Sequence, residues 1–390
     1  MDTVTVQANE TDTTQAAASR RQKRRVTLTL RKLKFTYTTT DEHGDAITLS
    51  ALAQWPTDET LTNVVLMCPY THCSDAECAT QSDDLGTGMA EKTQTDNYLL
   101  VITDGEGFGW TKDRTQLYLN HEVWAKQEVD CLAAALFLAQ HTYELPFSAN
   151  WTTVIAGTSQ GGGTALATLR YMETTTDPIT GQTLDELYNV DFANICCGPY
   201  DPVTTVKVYF QEWYRLTYPC VIPMVIKSMM VSYPDIMAGI KEEDFYTDEY
   251  LKIKDQIDEA LASKEMGADD INDIFTDNLS HCKDFSNGDD CTWVTDIVRP
   301  EVLDLSSHAA QQLVKCLERN NILDGQWTPR HHIKYRYSYA DVIVPYANTK
   351  ELQSVISKSG QTSSGYNDND SHTLACAEWL IFSPLLTRSY

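Results

Sequence analysis

Residues 153–164 read T-V-I-A-G-T-S-Q-G-G-G-T, with Ser159 inside a G-x-S-x-G pattern from Gly157 to Gly161. Residues 154–156 read as a buried strand, and residues 164–172 as a helix. A serine on a tight turn between strand and helix holds its hydroxyl clear of both, at a strained backbone angle, which is how a serine is set up as a nucleophile. Gly157 and Gly161 suit that turn because side chains there would collide across it. The competing reading is a glycine-rich helix start that cradles a phosphate. Against it, no Lys or Arg follows until Arg170.

A serine hydroxyl is a poor nucleophile near neutral pH. It needs a neutral imidazole in reach, and the imidazole needs a carboxylate to fix its tautomer and stabilise its charged form. Asp341 comes just past a strand-like run at 333–338, and His372 lies in a Ser/Gly/Asn/Asp loop ahead of a final helix at 374–382. Both loops would open on the sheet edge that carries Ser159, where ligands of open α/β sheets bind. Of nine histidines, His372 alone falls between a late strand and the terminal helix. His331 and His332 precede a strand, at the opposite edge; His72 is near the loop after residues 63–68 and reads as a pocket residue; His281 and His308 belong to an insertion or its rim. Asp368 and Asp370 compete with Asp341 for the acid, and residues 367–370 also read as a surface turn or a weak calcium loop. Asp341 is preferred for its place after a strand. An oxyanion needs two N–H donors. The backbone N–H of Gln160 is one; Tyr70 or Thr71 supplies the other, since Pro69 has no N–H.

The elements that must position these groups follow in order. Residues 26–39 and 46–54 read as a hairpin turning at 41–45. Short buried strands are expected at 63–68, 98–103 and 190–196, and a helix at 121–141. The loop at 104–110 alternates glycine with acidic and aromatic residues, and reads as a tight turn rather than a phosphate cradle. A helix is expected at 306–319, and Pro345 opens another that runs to about 358. Strands alternating with helices predict an α/β fold: a mainly parallel central sheet with helices on both faces. The alternation stops between 202 and 300. The expected divisions are therefore a disordered tail with a basic end (1–25), a first core segment (26–201), a mostly helical lid insertion (202–300) and a second core segment (301–390). Tyr209, Phe210, Trp213, Tyr214, Met224, Met229 and Met230 either line an acyl pocket or form the insertion's own core.

The chain has 390 residues and a formal charge of −25, which argues against a nucleic-acid partner. No stretch is long and apolar enough to span a membrane; residues 221–231 come nearest and contain Pro223 and Lys227. There is no secretory-type apolar run at the start. Eleven cysteines, with Cys73/Cys78 and Cys282/Cys291 close enough to pair, favour an extracytoplasmic, mature secreted form. Cys68, Cys73 and Cys78 do not match a zinc pattern, and no metal site is expected there.

These motifs resemble those of the α/β-hydrolase superfamily. The resemblance runs from about 26 to 386 and is carried by Gly157–Gly162, by Tyr339-Ala340-Asp341-Val342-Ile343-Val344-Pro345 and by Asp370-Ser371-His372. Within the superfamily the chain is similar to secretory-lipase and bacterial serine esterase groups, which carry a helical lid. The resemblance implies hydrolysis of small-molecule or lipid-like carboxylic esters through an acyl-serine intermediate, without a cofactor. An acyltransferase, a serine peptidase, or a non-catalytic binding protein on the same fold are the rival readings.

Overall fold

A computed structural model describes residues 2–7, 27–82, 92–93, 95–284 and 288–390. Its strands are β1 (Asp2–Gln7), β2 (Thr27–Thr40), β3 (Ala46–Pro56), β4 (Leu61–Cys68), β5 (Tyr98–Thr103), β6 (Phe147–Thr158), β7 (Val190–Cys196), β8 (Arg215–Leu216), β9 (Cys282–Lys283), β10 (Asp290–Trp293), β11 (His332–Ser338) and β12 (Ser363–Asp368). Nine of them form one sheet in the order β1-β2-β3-β5-β4-β6-β7-β11-β12. β1, β2, β3 and β5 pair antiparallel in succession, and every pairing from β5 to β12 is parallel. The order β5-β4-β6 puts a crossover beside β4, so the loops after β4 and β6 meet at one edge.

The central strands are buried on both faces because helices cover both. Along β5, Leu99 and Val101 join one apolar cluster while Tyr98, Leu100 and Ile102 join the other, the alternation a pleated strand imposes. The first face packs against the helices His121–Phe137, Gln160–Thr174 and Ala347–Ser359; the second packs against His372–Phe382, with Trp379 fully buried.

Two segments depart from the sequence reading. The Ser/Gly/Asn/Asp stretch expected as a loop carrying His372 contains β12, which pairs with β11 along its whole length, from Ile333 opposite Ser363 to Ser338 opposite Asp368. Its sequence, S-S-G-Y-N-D, has no apolar alternation because it is a mostly exposed edge strand. At the other edge, Asp2–Gln7 pairs with β2 where a disordered tail was expected; the basic cluster at 20–25 lies outside the described residues.

Among the described residues between β7 and β11, the chain adds no strand to the large sheet. It builds several helices and a small sheet, β8-β10-β9. Their shared core includes Met224, Met229, Phe245, Tyr246, Tyr250 and Phe275, and continues past residue 300 through Leu313 and Leu317 of the helix His308–Arg319. In that small sheet Cys282 and Cys291 face each other across an antiparallel pair, with Sγ atoms 2.9 Å apart. Oxidation is expected to join them, closing a short loop and stabilising the fold by about 2 to 3 kcal/mol. Non-reducing peptide mapping should find one crosslinked 282/291 peptide. Cys73 and Cys78 do not pair: Cys73 lies against Met224, and Cys78 against Asp75.

Candidate active site

Ser159 is the residue between β6 and the helix Gln160–Thr174, and its φ of 55° with ψ of −127° is a conformation side chains rarely adopt. The turn holds it there: its N–H donates to the Cys196 carbonyl at 2.9 Å, and its own carbonyl accepts from Gly162 N at 2.9 Å. A Cβ at Gly157 would overlap the Gly161 carbonyl, and one at Gly161 would overlap the Cys68 carbonyl. Both clashes are with backbone, which cannot swing away. Gly161→Ala is therefore expected to destabilise the fold by roughly 3 kcal/mol, read as a lower denaturant midpoint.

His372 is the first residue of the terminal helix rather than part of the preceding loop, with Ser371 as the N-cap. Its Nε2 lies 2.9 Å from Ser159 Oγ, and its Nδ1 lies 2.6 Å from Asp341 Oδ2. Asp341 Oδ1 accepts the N–H groups of Ile343 at 2.9 Å and Val344 at 2.7 Å, which leaves Oδ2 for the imidazole. With Nδ1–H donated to a carboxylate, Nε2 is left as the acceptor for the serine hydroxyl. Both His372 and Asp341 are buried. Burial works against charge on His372, but the charge and hydrogen bond of Asp341, with Cys376 alongside, outweigh it, and its pKa is raised well above 6.5. The inserted segment secures the acid's loop: Tyr214 OH donates to the Val342 carbonyl at 2.7 Å, and Tyr209 OH donates to that of Ile343.

The competing groups are engaged elsewhere. Asp368 is ion-paired with Arg336, which also reaches Glu378. His332 bonds Thr362 and the Arg388 carbonyl, and His331 bonds Glu173, all at the far end of β11. His72 is buried beside Tyr70 and Phe108, and burial pushes its pKa down to about 4. His281 pairs with Asp290 on the surface. The loop at 104–110 is a tight turn as expected: Gly105, Gly107 and Gly109 have positive φ, and Asp104 accepts from Ser50 Oγ at 2.6 Å.

The Gln160–Thr174 helix starts against the loop after β4, close enough that Gly161 abuts the Cys68 and Pro69 carbonyls. Tyr70 and Thr71 of that loop border the same cleft as Ser159 and His372. Thr71 Oγ1 is hydrogen-bonded to Tyr118 OH at 3.0 Å. As the first helical residue, Gln160 has no carbonyl within its helix to receive its N–H.

Two cavities meet at Ser159. One, of about 440 Å³, opens to solvent past Tyr70, Glu77, Tyr218, Asp269 and His372. The other is narrow, about 40 Å³, and runs into apolar side chains including Tyr209, Phe210, Val225, Ile226 and Leu313. So Tyr209 and Phe210 line a pocket, Met224, Met229 and Tyr214 fill the insertion's core, Met230 is packed against that core, and Trp213 is exposed. Sequence reasoning missed Tyr118 and Leu119 at the pocket wall. It also missed Cys376, whose Sγ is 3.6 Å from His372 Nε2; its signal was there, four residues after His372 in a helix.

No family model matches the sequence, and no curated protein matches it. Solved structures do. The rice cell wall degrading esterase LipA from Xanthomonas oryzae superposes with a TM-score of 0.70 at 20% identity, covering 91% of this chain and 89% of that one. A putative hydrolase from Legionella pneumophila gives 0.72 at 16% identity, with 90% and 86% covered. Candida antarctica lipase A in its closed state gives 0.59 at 13% identity, with 88% and 74% covered. With its sheet order, its strand–serine–helix turn and these neighbours, the chain has the α/β-hydrolase fold.

Proposed function

We propose that this protein hydrolyses carboxylic esters through an acyl-serine intermediate, with Ser159, His372 and Asp341 as its catalytic triad. The observation that carries the reading is the unbroken hydrogen-bonded chain from Asp341 Oδ2 through His372 to Ser159 Oγ. Ser159 Oγ attacks the ester carbonyl while His372 Nε2 takes its proton. The N–H groups of Gln160 and of Tyr70 or Thr71 hold the oxyanion. His372 then gives the proton to the leaving alkoxide, and the alcohol departs. Water, deprotonated by the same nitrogen, attacks the acyl-enzyme and releases the acid. The esterase and lipase neighbours support this reaction class.

The inserted segment at 202–300 acts as a lid in this reading, since its side chains wall the narrow apolar cavity. That cavity takes the acyl group and the wider cleft takes the alcohol. That cavity is narrow, about 40 Å³, so short acyl chains are favoured. Across p-nitrophenyl acetate, butyrate, octanoate and palmitate, kcat/KM is expected to peak at acetate or butyrate and to fall by roughly tenfold or more at octanoate. Ile226→Ala should move the peak to longer chains. A peak at palmitate in the parent enzyme would contradict the acyl-pocket assignment, and no turnover of any ester would contradict the reaction.

A further inference from the structure

We propose that Cys196, Cys197 and Cys376, together with His372 Nε2, form a binding site for a thiophilic cation of the Zn2+ class, and that filling it switches off Ser159; the second part rests on the esterase reading above. The three sulfurs lie within 4.8 Å of one another, and Cys197 Sγ forms a second such group with one ring nitrogen of His372 and a carboxylate oxygen of Asp341. Cys376 Sγ is 3.6 Å from His372 Nε2.

Two local features bring these ligands together. His372 and Cys376 are four apart on the helix His372–Phe382, so they share one face, the spacing by which helices present paired metal ligands. Cys196 and Cys197 are adjacent at the end of β7, where neighbouring side chains normally point to opposite faces. Cys197 has a φ of 46°, which breaks that alternation and turns its thiol toward the same point as Cys196 and Cys376.

The donor set is Cys₃His, one of those that hold zinc. With Zn–S of roughly 2.3 Å and Zn–N of roughly 2.0 Å in a tetrahedron, ligating S and N atoms stand about 3.6 Å apart and two sulfurs about 3.8 Å apart. The Cys376–His372 distance already fits, the three sulfurs need to close on one another by at most about 1 Å, and Cys196 and Cys197 must turn toward Nε2 by side-chain rotation. Entry is through the open cleft, which Cys376 borders together with Ser159 and His372. Each thiol that ligates gives its proton to solvent, so binding tightens as pH rises. Once Nε2 donates its lone pair to the cation, it no longer accepts the Ser159 proton, and the nucleophile loses its base.

The test uses the whole enzyme in a phosphine reductant, with free Zn2+ set by a metal buffer. Hydrolysis of p-nitrophenyl butyrate should be inhibited by Zn2+ and Cd2+, restored by EDTA and unaffected by Mg2+. Cys196→Ser should keep its basal rate, and both Cys196→Ser and Cys376→Ser should need at least about tenfold more Zn2+ for half-inhibition of their own uninhibited rates. Independently of activity, Cd2+ should produce a thiolate charge-transfer band that each substitution weakens, and bound Cd2+ should protect Cys376 from iodoacetamide, read by peptide mass. These two readouts report the site even if the chain hydrolyses no ester. Equal Zn2+ sensitivity in parent and both variants, or alkylation of Cys376 unchanged by Cd2+, would overturn the proposal.

Discussion

Ser159→Ala is expected to lower kcat/KM for p-nitrophenyl butyrate by on the order of 10⁵- to 10⁶-fold, leaving the circular dichroism spectrum and KM nearly unchanged. The reason lies in where the hydroxyl is. It is the only atom removed, and it is aimed by a backbone turn that does not depend on it: the Ser159 N–H, the Gly162 N–H and the close approach of Gly157 to Gly161 all remain. His372 stays bonded to Asp341. What is lost is the covalent route, so the residual rate reports water attack inside an otherwise assembled site. A loss below about tenfold would mean that another group makes the acyl bond. A double Ser159→Ala/His372→Ala variant should be scarcely worse than either single one, because residues that act as one unit lose most of their effect with the first substitution.

Asp341→Asn is expected to cost about 10⁴-fold in kcat with little change in stability. Asn keeps the shape but supplies an N–H where Oδ2 accepted the Nδ1–H bond. His372 must then flip its tautomer, putting its proton on Nε2, where it opposes the serine hydroxyl. Asp370→Asn, by contrast, should leave kcat within about twofold, since Asp370 is in contact with Asp368 and not with His372. Asp368→Asn should act on stability, because it leaves Arg336 short of a partner in a buried pair. The order Asp341 ≫ Asp370 is the result that separates the two acids.

The same pair fixes the pH profile. His372 must be neutral to take a proton, and its pKa is raised well above 6.5 because Asp341, with Cys376 alongside, favours the imidazolium more than burial disfavours it. Activity should therefore be low in acid and rise with pH, with the midpoint of the acid limb of kcat/KM above 6.5. Removing the Asp341 charge takes away the largest cause of the rise, so the residual activity of Asp341→Asn should show its acid limb at lower pH.

Much of this site could be read from residue order, because its parts sit at ends of elements that announce themselves. V-I-A before G-T-S-Q-G is a buried strand meeting a tight turn. The run Y-L-L-V-I-T at β5 is buried throughout, and apolar up to Thr103, because both its faces are covered. What was not legible depends on tertiary contact. β12 is a strand only because β11 offers it a parallel edge. The Tyr209 and Tyr214 hydroxyls reach the acid's loop across about 130 residues of chain, residue separations of 134 and 128 that no local pattern encodes. The convergence of Cys196, Cys197 and Cys376 turns on one positive φ at a non-glycine residue. The narrow cavity is set by side chains from separate parts of the insertion and from the helix His308–Arg319, which the sequence reading placed outside the lid.

The central claim is that Ser159 is a nucleophile activated by His372 and Asp341. Its most direct measurement is peptide mapping after treatment with a fluorophosphonate, run on the parent enzyme and on Asp341→Asn. The expected result is one phosphonyl group per chain on Ser159, activity lost in step with labelling, and labelling slowed by several orders of magnitude in Asp341→Asn. Full labelling elsewhere, or full activity after Ser159 is labelled, would contradict it.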